Sequence, residues 1–155
     1  MARKIHIVSV GRAHDALLVD AIALYQRRLR AHFEVDWCLL PPKQEATIKE
    51  SVASESNNIM RTLENAEYVV LCDERGSQLT SEQFSSDLYT ALAHYKHIYF
   101  VIGGAHGVSE QVRKKANLVV SFGKMVLPHQ LMRLVLIEQL YRASTIASGS
   151  AYHHA

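Results

Sequence analysis

Two hydrophobic periods alternate along the chain. Residues 4–10 (Lys-Ile-His-Ile-Val-Ser-Val) alternate polar and apolar and then turn almost wholly apolar, the pattern of a strand that becomes buried. Gly11 ends it. Leu17, Leu18, Ala21, Leu24, Tyr25 and Leu29 then recur at helical spacing, with Arg27, Arg28 and Arg30 at the end where cations suit the helix dipole. Residues 33–40 form a second strand, stopped by Pro41-Pro42. In 43–65, Ile48, Val52, Ile59, Met60 and Leu63 permit an amphipathic helix. Ser51, Ser54, Ser56, Asn57 and Asn58 are poor helix formers, so the expectation there is a marginal, mobile helix, poorly buried on one side. Residues 68–72 (Tyr-Val-Val-Leu-Cys) are continuously apolar, as in the centre of a parallel sheet, and run into a polar loop carrying Gly76. Thr80 and Gln83 make a capping box for a helix whose buried face is Phe84, Leu88, Ala91 and Leu92. Residues 97–102 are a fourth strand. Ser109 caps a short helix to Lys114, 117–122 are a fifth strand, and 128–147 are the last helix, with Pro128 in its first turn.

Strand and helix thus alternate five times without a linker or repeat. The pattern predicts one α/β domain over residues 1–155, three-layered, with a five-stranded, mostly parallel sheet and right-handed crossovers. The last helix is apolar almost all round: Leu131, Met132, Leu134, Val135, Leu136, Ile137, Leu140 and Tyr141 leave it little polar face. Such a helix must be covered on every side. Either its own chain sandwiches it or a second copy covers what the sheet does not, and a homodimer is the expectation.

Composition narrows the class. At 155 residues, 48% apolar and 21% charged, the chain is an ordinary globular domain with room for a core. No apolar run approaches the ~20 residues of a membrane helix, and the apolar start is too short for a signal peptide. Cys38 and Cys72 sit in strand-like runs without metal-type spacing, which suits buried thiols in a reducing cytoplasm. The net charge of +2 is small. From Gly103 onward, however, Arg113, Lys114, Lys115, Lys124, Arg133 and Arg142 face only Glu110 and Glu138. A basic C-terminal third suits an anionic partner, or is simply a solvated surface.

The candidate chemistry lies in three glycine-bearing loops after strands: Gly76, then Gly103-Gly104-Ala105-His106-Gly107, then Gly123 to Pro128. Loops at the carboxyl ends of parallel strands share one crevice, where open α/β sheets bind ligands. The G-x-G-x-x-G fingerprint is absent, which disfavours a nicotinamide oxidoreductase. No Gly-Lys-Ser/Thr follows, and the acidic residues nearby are too few for a metal site. What remains is a pocket of backbone amides and apolar side chains, suited to a flat, weakly charged ligand such as an adenosyl group.

Several stretches together carry a family resemblance. Val101-Ile102-Gly103-Gly104-x-x-Gly107, Ser121-Phe122-x-Lys124-Met125-x-Leu127-Pro128-His129, Arg133, Glu138-Gln139-x-Tyr141-Arg142-Ala143 and Tyr152-His153 closely resemble the RlmH family, SPOUT-class methyltransferases of large-subunit ribosomal RNA. The resemblance spans the whole chain. It implies a C-terminal trefoil knot, a homodimer, and S-adenosylmethionine bound by Leu71, Cys72, Gly103, Gly104, Gly123, Lys124, Met125, Val126, Leu127 and Pro128. The implied substrate is N3 of a pseudouridine in the rRNA of the assembled ribosome, with no metal and no membrane. An imide N–H is a poor nucleophile until deprotonated, so such a site must align donor and acceptor, assist proton loss and stabilise the anion. His129, Arg133, Arg142, Tyr152 and His153 are the candidates. Each has a plainer role open to it. His129 can hydrogen-bond its loop, Arg133 and Arg142 can pair with Glu138, and the six-residue tail can fray. A non-catalytic RNA-binding module with the same fold is the competing reading.

Overall fold

The computed structural model describes residues 3–154. Ten elements alternate along the chain: β1 Lys4–Val10, α1 Val19–Leu29, β2 Glu34–Leu40, α2 Ile48–Thr62, β3 Val69–Gln78, α3 Ser81–His94, β4 His97–Ile102, α4 Glu110–Lys115, β5 Leu118–Ser121 and α5 His129–Ser148. All strand pairs are parallel, in the order β2-β1-β4-β3-β5.

The period-2 pattern decides which face each strand residue serves. Ile5 and Ile7 of β1, Val70 of β3 and Ile98 and Phe100 of β4 point into a core with Ile22 and Leu29 of α1, Phe84 and Leu88 of α3, and Leu136, Ile137 and Leu140 of α5. Val8, Val10, Val69, Leu71 and Val101 point the other way, onto Ile59 of α2, Leu63 just past its end and Val112 of α4. The result is three layers, with α1, α3 and α5 on one face and α2 and α4 on the other. Each such side chain, buried at roughly 1.5–3 kcal/mol, favours this register over a one-residue slip that would turn both faces inside out.

Two expectations need correction. α2 is a regular helix of 15 residues, not a marginal one. Thr47 caps it by accepting from Glu50 N at 3.1 Å, and Ile59 and Leu63 are fully buried. Its poor helix formers are used in tertiary contacts, since Ser56 Oγ accepts the backbone N–H of Ser109 at 2.9 Å. The second correction is Gly76, which lies in a strand and not in a loop. β3 resumes its pairing with β5 after an irregularity between Cys72 and Ser77. A Cβ on Gly76 would stand 2.7 Å from the backbone of Val119, so glycine is needed for the strands to approach.

Candidate active site

The middle of β3, at its irregularity, and the carboxyl ends of β4 and β5 converge on a cavity of about 840 Å³. Its walls are residues 71–75, residues 102–108 after β4, the loop after β5, and Met132 on α5. Volume and lining suit a nucleoside-sized ligand. Gly104 stands where any side chain would intrude, its Cβ falling 2.7 Å from Glu55 Oε1 and 3.2 Å from Val10 Cγ1. Gly123 has φ +138°, a conformation that L side chains rarely adopt. Ser121 pins that turn, donating to Gly123 O at 2.8 Å and accepting from Gly123 N at 3.2 Å. Met125 and Val126 beside it are 84% and 76% exposed, an apolar lip for a ligand or partner to cover.

Charges at the rim are mostly committed. Burial pushes Asp73 up, but the backbone N–H of Arg75 and the guanidinium of Arg113 outweigh it and hold the carboxyl below its usual range. Burial pushes the Cys72 thiol up to about 12, so it stays protonated and serves as an apolar wall.

Of the residues singled out from the sequence, Leu71, Cys72, Gly103, Gly104, Gly123, Met125, Val126, Leu127, Pro128 and His129 line this one cavity. Lys124 lies in the same loop, exposed and outside the lining. His129, at the first turn of α5, is half-buried, and its imidazole makes no hydrogen bond to any described residue. Burial and the charge of Arg133 lower its pKa, opposed by Glu55. Its imidazole is therefore neutral at neutral pH and able to accept a proton.

Arg133 does not reach the cavity. It is 0% exposed, behind His129. Its Nε donates to Ser9 Oγ at 2.9 Å and its Nη1 to Arg12 O at 2.8 Å, with His14 Nδ1 and Gln130 Oε1 each at 3.3 Å. No carboxylate pairs with it, and Nη2 is a buried polar atom without a partner among the described residues. The expected pairing with Glu138 therefore holds only for Arg142, which donates to Glu138 Oε1 from Nε at 3.0 Å and Nη2 at 2.8 Å. The tail is not frayed. Tyr152 OH donates to Glu138 at 3.2 Å and its ring lies 4.9 Å from the Arg142 guanidinium. His153 bridges Arg142 at 3.0 Å and Glu82 at 2.8 Å. Within one chain Arg142, Tyr152 and His153 stand together, apart from the cavity lining.

Glu55 was missed from the sequence. It is only 8% exposed, on a helix dismissed as marginal, and its signal was its place on the Val52–Ile59–Leu63 stripe, where apolar residues belong.

Comparison with known proteins gives the chain its relatives. The family profile described as "Predicted SPOUT methyltransferase" matches residues 3–153. The "Ribosomal RNA large subunit methyltransferase H" of Streptococcus equi subsp. zooepidemicus is 43% identical over 157 aligned positions, covering 97% of this chain and 99% of its own. Among solved structures, a probable methylase family protein from Haemophilus influenzae Rd KW20 is similar with TM-score 0.62 at 12% identity, over all of this chain and 72% of that one. The tRNA (m1G37) methyltransferase from Aquifex aeolicus gives TM-score 0.53 at 15% identity, over 92% of this chain and 70% of that one. At such identities the two structures show the fold alone.

Proposed function

The chain belongs to the SPOUT methyltransferase family, and from that premise we propose that it methylates N3 of a pseudouridine in large-subunit ribosomal RNA on the assembled ribosome. Methylation of large-subunit rRNA is the activity in the relatives' shared name, and it comes to this chain on 43% identity over nearly all of both sequences. The observation that carries the reading is the cavity where the middle of β3 meets the ends of β4 and β5, walled by glycine backbone and apolar side chains. It suits S-adenosylmethionine: Leu71 and Leu127 are among its apolar lining, which a purine ring would cover, and Gly103 and Gly104 bring bare backbone to its wall. When bound, that donor supplies a methyl on a sulfonium sulfur. The transfer would join that methyl to N3, leave the electron pair on sulfur and require loss of the N3 proton, which is the part left to the protein.

The chain's own residues carry the rest. Neutral His129 stands at the cavity rim and takes the N3 proton. Arg133, buried behind it, holds the β1–α1 loop against α5 and keeps the imidazole from charging. Arg142, Tyr152 and His153 do not line their own chain's cavity, so their service to the acceptor base requires a second protomer. A homodimer through α5 supplies it. Leu131 is 36% exposed there, and Leu134, Val135 and Tyr141 are incompletely covered. In the same reading the C-terminal segment forms the trefoil knot that encloses the donor, and the protein works in the cytoplasm, where ribosomes are.

The test is nucleoside mass spectrometry of rRNA after incubation with S-adenosylmethionine. Intact ribosomes should yield N3-methylpseudouridine and protein-free rRNA little, because phosphate contacts by a small, mildly basic protein give affinity without specificity. Gly104→Val adds about 1–3 kcal/mol of overpacking against Glu55 and Val10. It should weaken donor binding by calorimetry at least about tenfold. A folded Gly104→Val protein with full donor affinity would place the donor elsewhere.

A further inference from the structure

A second cavity, of about 540 Å³, adjoins the first. The two share Gly104, Ala105, His106 and His129, so the His129 imidazole stands between them. The far wall is the start of α2 and the segment before it, residues 42–48, with Glu55 at the inner end. The size falls within the roughly 300–1,000 Å³ of small-molecule sites.

Glu55 is the feature that calls for explanation. It is 8% exposed, and the one carboxylate side chain equally covered, that of Asp73, is paired with two arginines. Its Oε2 accepts the backbone N–H of Lys43 at 3.0 Å. Its Oε1 accepts no hydrogen bond from a described residue, yet it lies against Gly104, at the wall common to the two cavities. The other acids nearby are differently placed: Asp73 is committed to Arg113 and Arg75, and the Glu45 side chain is exposed. One oxygen is thus held by the backbone, and the other, which is not itself a buried atom, is open to the cavity for a ligand's donor. A carboxylate oxygen there accepts, so a ligand that meets it brings an N–H or O–H.

We propose that this cavity receives the acceptor base, and that Glu55 Oε1 selects a pseudouridine over a uridine by accepting the ring N–H that uridine lacks. The inference rests on the pseudouridine reading above and deepens it. In a pseudouridine the sugar is joined to carbon, so both ring nitrogens carry hydrogen, one on each side of a carbonyl. If one N–H faces the donor cavity and His129, the other points two ring positions away, into the second cavity. There a free acceptor is needed. In a uridine that second nitrogen is bonded to the sugar, and the base presented the same way offers Glu55 only a C–H. A site built to accept a hydrogen bond rejects the analogue lacking it, because its buried polar group is then left unpaired.

The experiment compares Glu55→Gln and Glu55→Ala with the unchanged protein on two ribosome preparations, one carrying pseudouridine at the target position and one carrying uridine there. Glu55→Gln keeps shape and an amide oxygen for the Lys43 N–H, which guards against a merely unfolded variant. The unchanged protein should prefer the pseudouridine ribosomes by roughly 10- to 100-fold in kcat/KM, the scale of one hydrogen bond to a charged group. Both variants should lose most of that preference, because reaction with pseudouridine slows far more than reaction with uridine, while the calorimetric affinity for S-adenosylmethionine stays unchanged. Equal losses on both ribosomes would overturn the proposal and reduce Glu55 to a strut for residues 43–47. Weakened donor binding would overturn it in favour of a cavity that holds the donor's ammonium group. Intact preference in both variants would put selection elsewhere. Methylation of neither preparation by the unchanged protein, or at another ring atom, would strike the pseudouridine reading itself and take this inference with it.

Discussion

Arg133 and Arg142 lie on one helix and are stabilised in opposite ways. Arg133 is fully buried, meets only neutral acceptors and leaves one nitrogen without a partner. Arg142, its side chain 26% exposed, has a two-pronged pair with Glu138, an imidazole and a phenol ring. A buried guanidinium cannot shed its charge, so it must be held by dipoles fixed before it arrives. Ser9, Arg12 and Gln130 supply them, and in return the guanidinium locks the β1–α1 loop onto the start of α5. A half-exposed guanidinium has water to fall back on, and its partners can be exchanged. The first arrangement suits a fixed support behind a cavity; the second suits a group that changes partners when RNA or a second protomer arrives.

Deleting residues 152–155 removes two of Arg142's neighbours and should give the largest effect. Methyl incorporation into ribosomes should fall by at least roughly 100-fold, as when an acceptor is misplaced by an ångström. Donor affinity by calorimetry should be nearly unchanged, since none of the described tail residues lines that cavity. Loss of donor binding would place the tail in the donor site and dissolve the contrast between the two ends of the helix.

Stability sharpens the same comparison. Arg133→Ala leaves the Ser9 hydroxyl and the Arg12 carbonyl without their donor and opens a void, so it should cost about 3 kcal/mol in denaturant unfolding. Arg142→Ala breaks a partly exposed ion pair and should cost about 1 kcal/mol or less. Equal midpoints for the two variants would mean that the buried guanidinium has no special standing.

The smallest effect is with pH. Burial, with Arg133 second, lowers both His14 and His129 from the ordinary 6.5. The unfolded chain then binds more protons than the folded one in the window just below 6.5, and there stability should fall as pH falls. The acid limb of methyl transfer should lie below 6.5 for the same reason, and Arg133→Gln should move it upward. An unmoved limb in a folded Arg133→Gln protein would detach Arg133 from His129.

Much of this was legible in the chain. Alternation and helical spacing placed β1 and β4 at their observed ends and the last helix within a residue, because strands buried on both faces and helices facing a sheet have patterns that local chemistry enforces. The loops after β4 and β5 were visible through their glycines. The pairing of Gly123 with Ser121 and of Gly104 with Glu55 was not, since it depends on where distant backbone lies. Arg133 had a signal that went unused. It falls in register with Leu136, Ile137 and Leu140, the buried stripe of α5. α2 misled because Ser and Asn lower intrinsic propensity, whereas contacts such as Ser56 with Ser109 recover it.

By itself the sequence determined the order of elements, the parallel three-layer architecture and the loops that meet at one sheet edge, because periodicity and glycine are local properties. Only the tertiary structure decided that β3 continues through Gly76, that one arginine is entombed while the other stays in reach of solvent, and that a carboxylate on α2 faces the wall between two cavities. Burial of a charge depends on what packs over it from elsewhere in the chain, and Ser9, Arg133, Glu55 and Gly104 become neighbours only once the sheet has formed.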